Sequence, residues 1–317
     1  MTASQATSSF AVAFHVQAST AVGMGHLARS AAVIVGLREL GFEVALHLDG
    51  DERGHEAARF RCLAPEALPP PPSVLVMDAV HLPDEVVARA RDYFPRILLS
   101  PYCDRPEVAS HVLVRDAPDA LRAGLTPGAR LVTDPDFAFV TARGLRPARH
   151  AFDRLRVGLC LSGGDATLDL DAIIAALVRA PRVIEVRVID RRVPAPLPAG
   201  GPRLSHARHV RAPWTFFDGI NVFVGGDGVM VAEAIAQAIP AVSLTTPERL
   251  DKNRSLIASG VLRTVLVAPF DAAALSGLLV DPEALGAMHA AAWRLRGWER
   301  SGSLTRHVHA IVEGSLP

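Results

Sequence analysis

A histidine follows a glycine-rich turn close to the start of the sequence. Residues 18–26 read Ala-Ser-Thr-Ala-Val-Gly-Met-Gly-His and come directly after an apolar run. Gly23 and Gly25 let the backbone turn tightly or approach a ligand, because glycine has no Cβ. His26 would then begin a helix, where the positive end of the helix dipole favours a neutral ring. Such a ring can act as a general base towards water or a hydroxyl group; a helix cap or an exposed histidine is the alternative interpretation.

Two more glycine-rich turns follow apolar runs in the second half of the chain. Residues 162–165 read Ser-Gly-Gly-Asp, and residues 225–228 read Gly-Gly-Asp-Gly. Backbone N–H groups at the start of a helix bind anions, so two such turns favour a diphosphate over glycines that serve only strand–helix packing. Neither turn ends in the Lys-Ser/Thr pair of a P-loop, which disfavours simple ATPase chemistry. The predicted nucleotide-binding residues of these turns are Gly163, Gly164, Gly225, Gly226, Asp227 and Gly228.

Three polar residues around the third turn need separate interpretations. A carboxylate that faced a phosphate would repel it, so we expect Asp227 to cap the helix that follows. Glu233 lies in an apolar stretch of that helix, where a solvated carboxylate is costly, and it could accept hydrogen bonds from both hydroxyls of a ribose. Asn253 begins a later helix, which it could cap, or it could reach a sugar hydroxyl.

Apolar runs alternate with segments of helical period along the whole chain, which predicts a mainly parallel α/β fold. The pattern restarts after a polar, arginine-rich stretch at 141–154. We therefore predict two Rossmann-like domains with a cleft between them, 1–148 and 149–317, and a helical segment at 282–314 that packs across both. The predicted strands are 10–16, 43–48, 74–77, 96–100, 112–114, 130–132, 156–161, 184–189, 221–224 and 241–244, and the main predicted helices are 27–40, 84–93, 168–179 and 228–237.

Composition excludes several classes of function. Lysine plus arginine and aspartate plus glutamate number 33 each in 317 residues, so no basic surface points to nucleic acid. Three separated cysteines argue against a disulfide framework, and no apolar run reaches the roughly 18 residues of a membrane span. With a polar N terminus, these features predict a cytoplasmic protein. The Asp-Pro-Asp at 134–136 and the histidines at 307 and 309 are poorly spaced for a metal, so we predict no metal and no cofactor.

Several segments resemble one known family. Residues 14–19 and 23–29 are similar to the opening of the UDP-sugar hydrolases of the pseudaminic acid pathway. The run Val-Leu-Val-Met-Asp at 74–78 resembles a strand of that family that ends in aspartate, and residues 225–233 resemble its UDP-binding segment. The resemblance covers most of the chain and implies a two-domain GT-B glycosyltransferase fold. It also implies a UDP-linked sugar as the small-molecule partner.

The resemblance also implies roles for individual residues. His26 would activate the attacking water, with Asp78 as the second catalytic residue and Glu233 at the ribose. The implied substrate-binding residues are Gln17, Gly23, Gly25, Arg29 and Asn253. The expected reaction is hydrolysis of the anomeric C–O bond of the UDP-sugar. Departures from the family pattern at Gln17, Val80, Met230 and Arg254 keep two alternatives open: transfer of the sugar to an acceptor hydroxyl, and a nucleotide-sugar binding protein without catalysis.

Overall fold

The computed structural model describes residues 11–69, 73–142, 144–161, 168–208 and 213–314. These residues form two parallel sheets of six strands each. The first sheet and its helices, residues 11–133, are called the first lobe, and the second sheet and its helices, residues 155–266, are called the second lobe. The predicted boundary between residues 148 and 149 lies in the segment that connects the sheets, and the boundary itself stays a prediction.

The first lobe has the strand order β2-β1-β3-β4-β5-β6. Helices cover both faces of its central strands, so β3 is buried along its whole length and reads as a continuous apolar run, as parallel strands do. Its elements are β1 (Ala11–Ala18), α1 (Gly25–Glu39), β2 (Glu43–Gly50), α2 (Glu52–Phe60), β3 (Val74–Asp78), α3 (Asp84–Ala90), β4 (Arg96–Leu98), β5 (His111–Val114), α4 (Asp119–Gly124) and β6 (Arg130–Thr133).

The second lobe has the strand order β12-β11-β10-β7-β8-β9. Three helices follow it in the chain or close it, and the list includes them. The elements are β7 (Leu155–Cys160), α5 (Leu170–Val178), β8 (Val183–Ile189), β9 (Arg203–Ala207), α6 (Pro213–Phe217), β10 (Val222–Gly225), α7 (Val229–Ala236), β11 (Ala241–Thr245), α8 (Arg254–Ala258), β12 (Leu262–Leu266), α9 (Ala272–Val280), α10 (Pro282–Leu295) and α11 (Ser303–Val312).

The C-terminal helix α11 returns to the first lobe. Its apolar residues Leu304, Val308, Ile311 and Val312 are buried in the core that also contains the apolar face of α1. A left-handed residue, Arg296, ends α10 and turns the chain towards α11. The prediction that the C-terminal helical segment packs across both halves is therefore confirmed. Among the described helices, none combines the length and the apolarity that a membrane crossing needs.

Each sheet reverses its strand order at one point. In the first lobe the reversal lies between β1 and β3, and in the second it lies between β7 and β10. In open parallel sheets, ligands bind beyond the carboxyl ends of the strands at such a reversal, because the flanking loops diverge there and leave a crevice. The turn at Gly23 and Gly25 follows β1, and the turn at residues 226–228 follows β10. The strand order therefore places two of the predicted turns at ligand-binding positions.

Candidate functional site

A cleft lies between the lobes, and its walls are loops that follow strands of both sheets. The first lobe contributes the loop after β1 and residues that follow β4 and β5, and the second lobe contributes residues that follow β10 and β11. The polar and glycine residues that line the cleft are Gly23, Gly25, His26, Arg29, Arg115, Asp116, Gly226, Asp227, Gly228, Thr245, Thr246, Arg249 and Lys252. The cleft thus brings together turns that are about 200 residues apart in the sequence.

His26 and Asp78 meet across the strand-order reversal of the first lobe. His26 is the second residue of α1, and Asp78 is the last residue of β3. The distance from His26 Nδ1 to Asp78 Oδ1 is 2.6 Å. An ionised carboxylate only accepts hydrogen bonds, so Nδ1 carries the proton and donates it to Asp78. Nε2 then has the lone pair and can accept a proton, which is the arrangement of a general base oriented by a carboxylate.

Asp78 is fully buried beneath His26 and is held by two other residues of α1. Arg29 donates to both carboxylate oxygens, at 2.9 and 2.5 Å, and the Ser30 hydroxyl donates to Oδ2 at 3.0 Å. Burial alone would raise the pKa of Asp78, but the charges of Arg29 and His26 outweigh burial and hold that pKa far below its usual range. Asp78 therefore stays ionised at any pH at which a histidine can act as a base.

Arg29 has a double position. Its guanidinium binds Asp78, and the residue also lines the cleft next to His26. The predicted substrate contact of Arg29 stays a prediction, while its contact with Asp78 fixes the orientation of the His26 ring indirectly. Sequence spacing contains the signal for this contact, because residues 26, 29 and 30 share one face of a helix.

The turn after β10 places backbone N–H groups at the mouth of α7. Gly226 and Gly228 line the cleft, and Gly228 is the N-cap of α7. Gly225 lies one step deeper, and a Cβ there would approach the Cys160 carbonyl oxygen to 2.7 Å and the Phe223 ring as closely. Gly225 thus serves close packing of the strands, whereas Gly226 and Gly228 face the space in which an anion could bind.

Asp227 does not cap α7, and that prediction is wrong. No side chain caps this helix. The Asp227 carboxylate instead accepts hydrogen bonds from the hydroxyls of Ser243 and Thr245, at 2.5 and 2.8 Å, and from the Asn253 amide at 3.0 Å. The end of β11 and the segment before α8 therefore hold the carboxylate, which leaves the N–H groups of α7 without a competing anion from Asp227.

Asn253 joins the two lobes. Its amide nitrogen donates to Asp227 of the second lobe, and its amide oxygen accepts from the guanidinium of Arg115 in the first lobe. Arg115 also donates to the main-chain oxygen of Lys252. The neighbouring Asp116 accepts from the main-chain nitrogen and the hydroxyl of Ser255 at 3.0 and 2.8 Å. The predicted sugar contact of Asn253 stays a prediction, because the observed partners of its side chain are protein groups.

Glu233 is buried on α7 and does not line the cleft. Its Oε2 has no hydrogen-bond partner among the described residues. Burial raises the pKa of Glu233 from 4.5 to about 7, and the Thr141 hydroxyl and the Arg61 guanidinium offset only part of this rise. A contact with a ribose would require the cleft to extend towards this carboxyl, and the ribose role stays a prediction.

The remaining predicted site residues lie in three kinds of place. Gly23 has a φ of 90°, which a residue with a Cβ rarely adopts, and Gly25 has open space where a Cβ would stand. Gln17 lies outside the cleft lining, because its amide oxygen accepts from the main-chain nitrogens of Val80 and His81 at 3.1 and 3.2 Å. The calls on Gly163 and Gly164 lie outside the described residues.

Sequence reasoning missed Arg115, Arg249 and Lys252, all of which line the cleft. A signal existed for one of them, because Lys252 is the only lysine in the chain. Arg115 gives no comparable local signal, since its role depends on contacts with residues 137 and 138 positions away. Asp136 is paired with Arg300 at 2.7 Å, and no cluster of metal-ligating side chains occurs within the described part of the chain.

Comparisons with known proteins concern the whole chain. No protein-family model matches it, and no curated protein does. Among solved structures, it is similar to MnaA of S. aureus with UDP, at 10% identity and a TM-score of 0.66, covering 96% of this chain and 97% of that one. It is also similar to the glycotransferase of kitacinnamycin, at 16% identity and a TM-score of 0.62, covering 97% and 99%.

A third similar structure is the spinosyn rhamnosyltransferase SpnG in complex with spinosyn aglycone. The identity is 16%, the TM-score is 0.56, and 94% of this chain and 100% of that one are covered. Identities this low concern the fold, and the pseudaminic acid hydrolase family itself stays a prediction. The cleft between two parallel six-stranded lobes and the near-complete coverage lead to one conclusion. The chain has the two-domain α/β fold of the GT-B glycosyltransferases.

Proposed function

We propose that this protein transfers a sugar from a UDP-linked donor to an acceptor hydroxyl, with His26 as the general base. One observation carries the proposal: a histidine oriented by a buried carboxylate and the start of α7 line the same cleft. A base and an anion site are the two elements that this reaction needs, because a proton leaves the acceptor and negative charge develops on the diphosphate.

The geometry suggests the following sequence of bond changes. The acceptor hydroxyl donates its proton to His26 Nε2 as its oxygen attacks the anomeric carbon of the sugar. The bond between that carbon and the diphosphate oxygen breaks, and its electron pair stays on the diphosphate. The N–H groups at the start of α7 and the cations of the cleft stabilise the new charge. Asp78 does not touch the substrate; it keeps the proton on Nδ1 and stabilises the imidazolium.

The similar structures agree with both halves of this reaction. The MnaA structure contains UDP, and the SpnG structure contains an aglycone. Extended to this chain, the first supports a UDP-linked donor and the second supports an acceptor molecule. The identity of the sugar and of the acceptor is not part of the proposal.

Hydrolysis is the second candidate, with water in place of the acceptor hydroxyl. The observation that favours it is the resemblance of residues 14–19 and 23–29 to UDP-sugar hydrolases. The two reactions use the same base and the same leaving group. They differ in whether an acceptor displaces water from the cleft.

Release of UDP from a panel of UDP-sugars, with and without acceptor alcohols, tests both candidates. We expect release that depends on an acceptor, and His26→Ala should lower its rate by about 10²- to 10⁴-fold. His81→Ala is the matched control, because His81 is exposed and also bonded to a carboxylate, that of Asp104. Release that needs no acceptor would instead establish hydrolysis. Binding of UDP without turnover would exclude both reactions, and normal turnover by His26→Ala would remove the assigned base.

A further inference from the structure

We propose that Lys252 is the side chain that binds the diphosphate of the donor, an inference that rests on the proposed function and adds a named contact to it. Lys252 stands directly before Asn253, at the second-lobe wall of the cleft. Its ammonium group lies over the ring of Tyr102, 5.9 Å from the ring centroid. Tyr102 belongs to the first lobe, so the ammonium lies where the two lobes face each other.

The other half-buried cations of the cleft already have partners. The Arg29 guanidinium is bound to both oxygens of Asp78. The Arg115 guanidinium donates to the main-chain oxygen of Lys252, to Asn253 and to Asp116, the last at 3.1 Å. Neither can turn to a ligand without leaving a buried acceptor unpaired, which costs about 1–3 kcal/mol.

Lys252 has no such commitment. Within the described residues, its ammonium makes no ion pair and no hydrogen bond. Arg249 is likewise without an ion pair there, but its side chain is exposed at the mouth of the cleft, where solvent weakens a contact with phosphate. Lys252 is therefore the free cation that can bind an anion inside the cleft.

Charge balance agrees with a diphosphate. Asp78 compensates Arg29 and Asp116 compensates Arg115, which leaves Lys252 and Arg249 facing the single charge of Asp227. A cleft with this excess of positive charge attracts an anion. The two negative charges of a nucleotide-sugar diphosphate suffice for it, so no carboxylate on the sugar is needed.

The surroundings of Lys252 also make its charge sensitive to pH. Burial lowers the pKa of Lys252 to about 8; Asp227 opposes this effect, and the guanidinium groups of Arg115, Arg29 and Arg249 add to it. Tyr102 stays protonated in this range because burial raises its pKa to about 12. The free enzyme therefore loses its ammonium charge above about pH 8, and a phosphate contact made by Lys252 weakens there.

Binding of UDP and of uridine to the wild type, Lys252→Gln and Lys252→Arg tests the inference. We expect Lys252→Gln to bind UDP about 10- to 100-fold more weakly and uridine as well as the wild type does, since a charged phosphate contact contributes about 1.5–3 kcal/mol. Lys252→Arg should restore most of the UDP affinity. Arg254→Gln is the matched control, because it removes an exposed charge two residues away that is paired with Asp251.

The pH dependence separates a phosphate contact from a structural role. Between about pH 7.5 and 9.5, where the phosphates of UDP are fully ionised, wild-type affinity for UDP should fall, and that of Lys252→Arg should stay constant. The single lysine allows a second measurement, since an amine-selective succinimidyl ester can modify no other side-chain amine. UDP should protect Lys252 from this reagent, and uridine should not.

The outcomes distinguish this inference from the proposed function. If the wild type binds UDP and Lys252→Gln binds it equally well, Lys252 does not contact the diphosphate, and the proposed function stands. If Lys252→Gln loses uridine and UDP affinity alike, the residue shapes the cleft and does not bind phosphate. If the wild type binds no UDP, the proposed function is itself wrong.

Discussion

At the scale of single residues, Glu233 combines a stability cost with a predicted ligand contact. Its carboxyl is buried, Oε2 lacks a hydrogen-bond partner within the described residues, and its pKa is raised to about 7. A raised pKa means that the folded state binds more protons than the unfolded state between about pH 4.5 and 7. Glu233 therefore costs no stability below pH 4.5, and its cost grows as the pH rises through 7.

We predict that Glu233→Gln stabilises the protein at pH 8 but not at pH 4.5. The expected gain in the free energy of unfolding is up to about 3 kcal/mol, since one pKa unit corresponds to about 1.4 kcal/mol. Urea denaturation at both pH values measures it. Glu43→Gln is the control, because Glu43 is exposed and should give no pH-dependent difference. An equal gain at both pH values would show that ionisation of Glu233 is not the cause.

The same variant tests the ribose contact. If the carboxylate accepts hydrogen bonds from ribose hydroxyls, Glu233→Gln weakens UDP binding more than it slows turnover. An unchanged affinity for UDP would remove Glu233 from the nucleotide site and leave its burial without a ligand-based explanation.

At the scale of elements, the loop after β5 and the segment before α8 hold the lobes together. Arg115 contributes three acceptors' worth of contacts, and Asp116 receives two hydrogen bonds from Ser255. These contacts are half-buried and involve charged groups, so each contributes more than an exposed ion pair does. They connect a loop of the first lobe to the wall of the cleft that includes Lys252.

We predict that Arg115→Gln lowers the free energy of unfolding by about 2 kcal/mol, because the buried oxygen of Asn253 loses its donor. The radius of gyration in small-angle scattering should also rise as the lobes part. Arg105→Gln is the control, since Arg105 pairs with Asp84 and Glu107 in an exposed place and should change stability by less than about 0.5 kcal/mol. Equal effects of the two substitutions would contradict a connecting role for Arg115.

At the scale of the whole molecule, α11 ties the C-terminal end of the chain to the first lobe. Gly36 of α1 allows the close approach, since a Cβ at this position would lie 2.7 Å from Thr305 Cγ2. Alanine favours a helix interior over glycine by about 1 kcal/mol. At residue 36 this gain competes with a clash between two helices that are far apart in sequence.

We predict that the effect of Gly36→Ala changes sign with the residue at 305. In the wild-type background it should destabilise by about 1–2 kcal/mol, because overpacking outweighs helix propensity. In a Thr305→Ala background the clash is absent, and the same substitution should stabilise by up to about 1 kcal/mol. A double-mutant cycle by urea denaturation measures the coupling. A coupling near zero would show that α1 and α11 separate without cost.

Local patterns predicted most elements but not the peripheral ones. The apolar runs of β1, β3, β7 and β10 and the helix α1 were predicted within a few residues of their observed bounds. The strand β9 was missed because its sequence, Arg-Leu-Ser-His-Ala, lies at a sheet edge and is only partly buried, so it lacks an apolar signal. The strand β12 was missed for the same reason, since exposed residues interrupt it.

The sequence by itself determined the alternation of strands and helices, the turns at Gly23 and Gly226, and the histidine that begins α1. These features depend on hydrophobic period and on the backbone freedom of glycine, which are properties of neighbouring residues. Only the tertiary structure decided that Asp78 orients His26, that Asp227 binds Asn253 instead of capping α7, and that Lys252 lies free in the cleft. Such contacts depend on the order of strands in each sheet and on how the lobes face each other, and no local pattern contains that information.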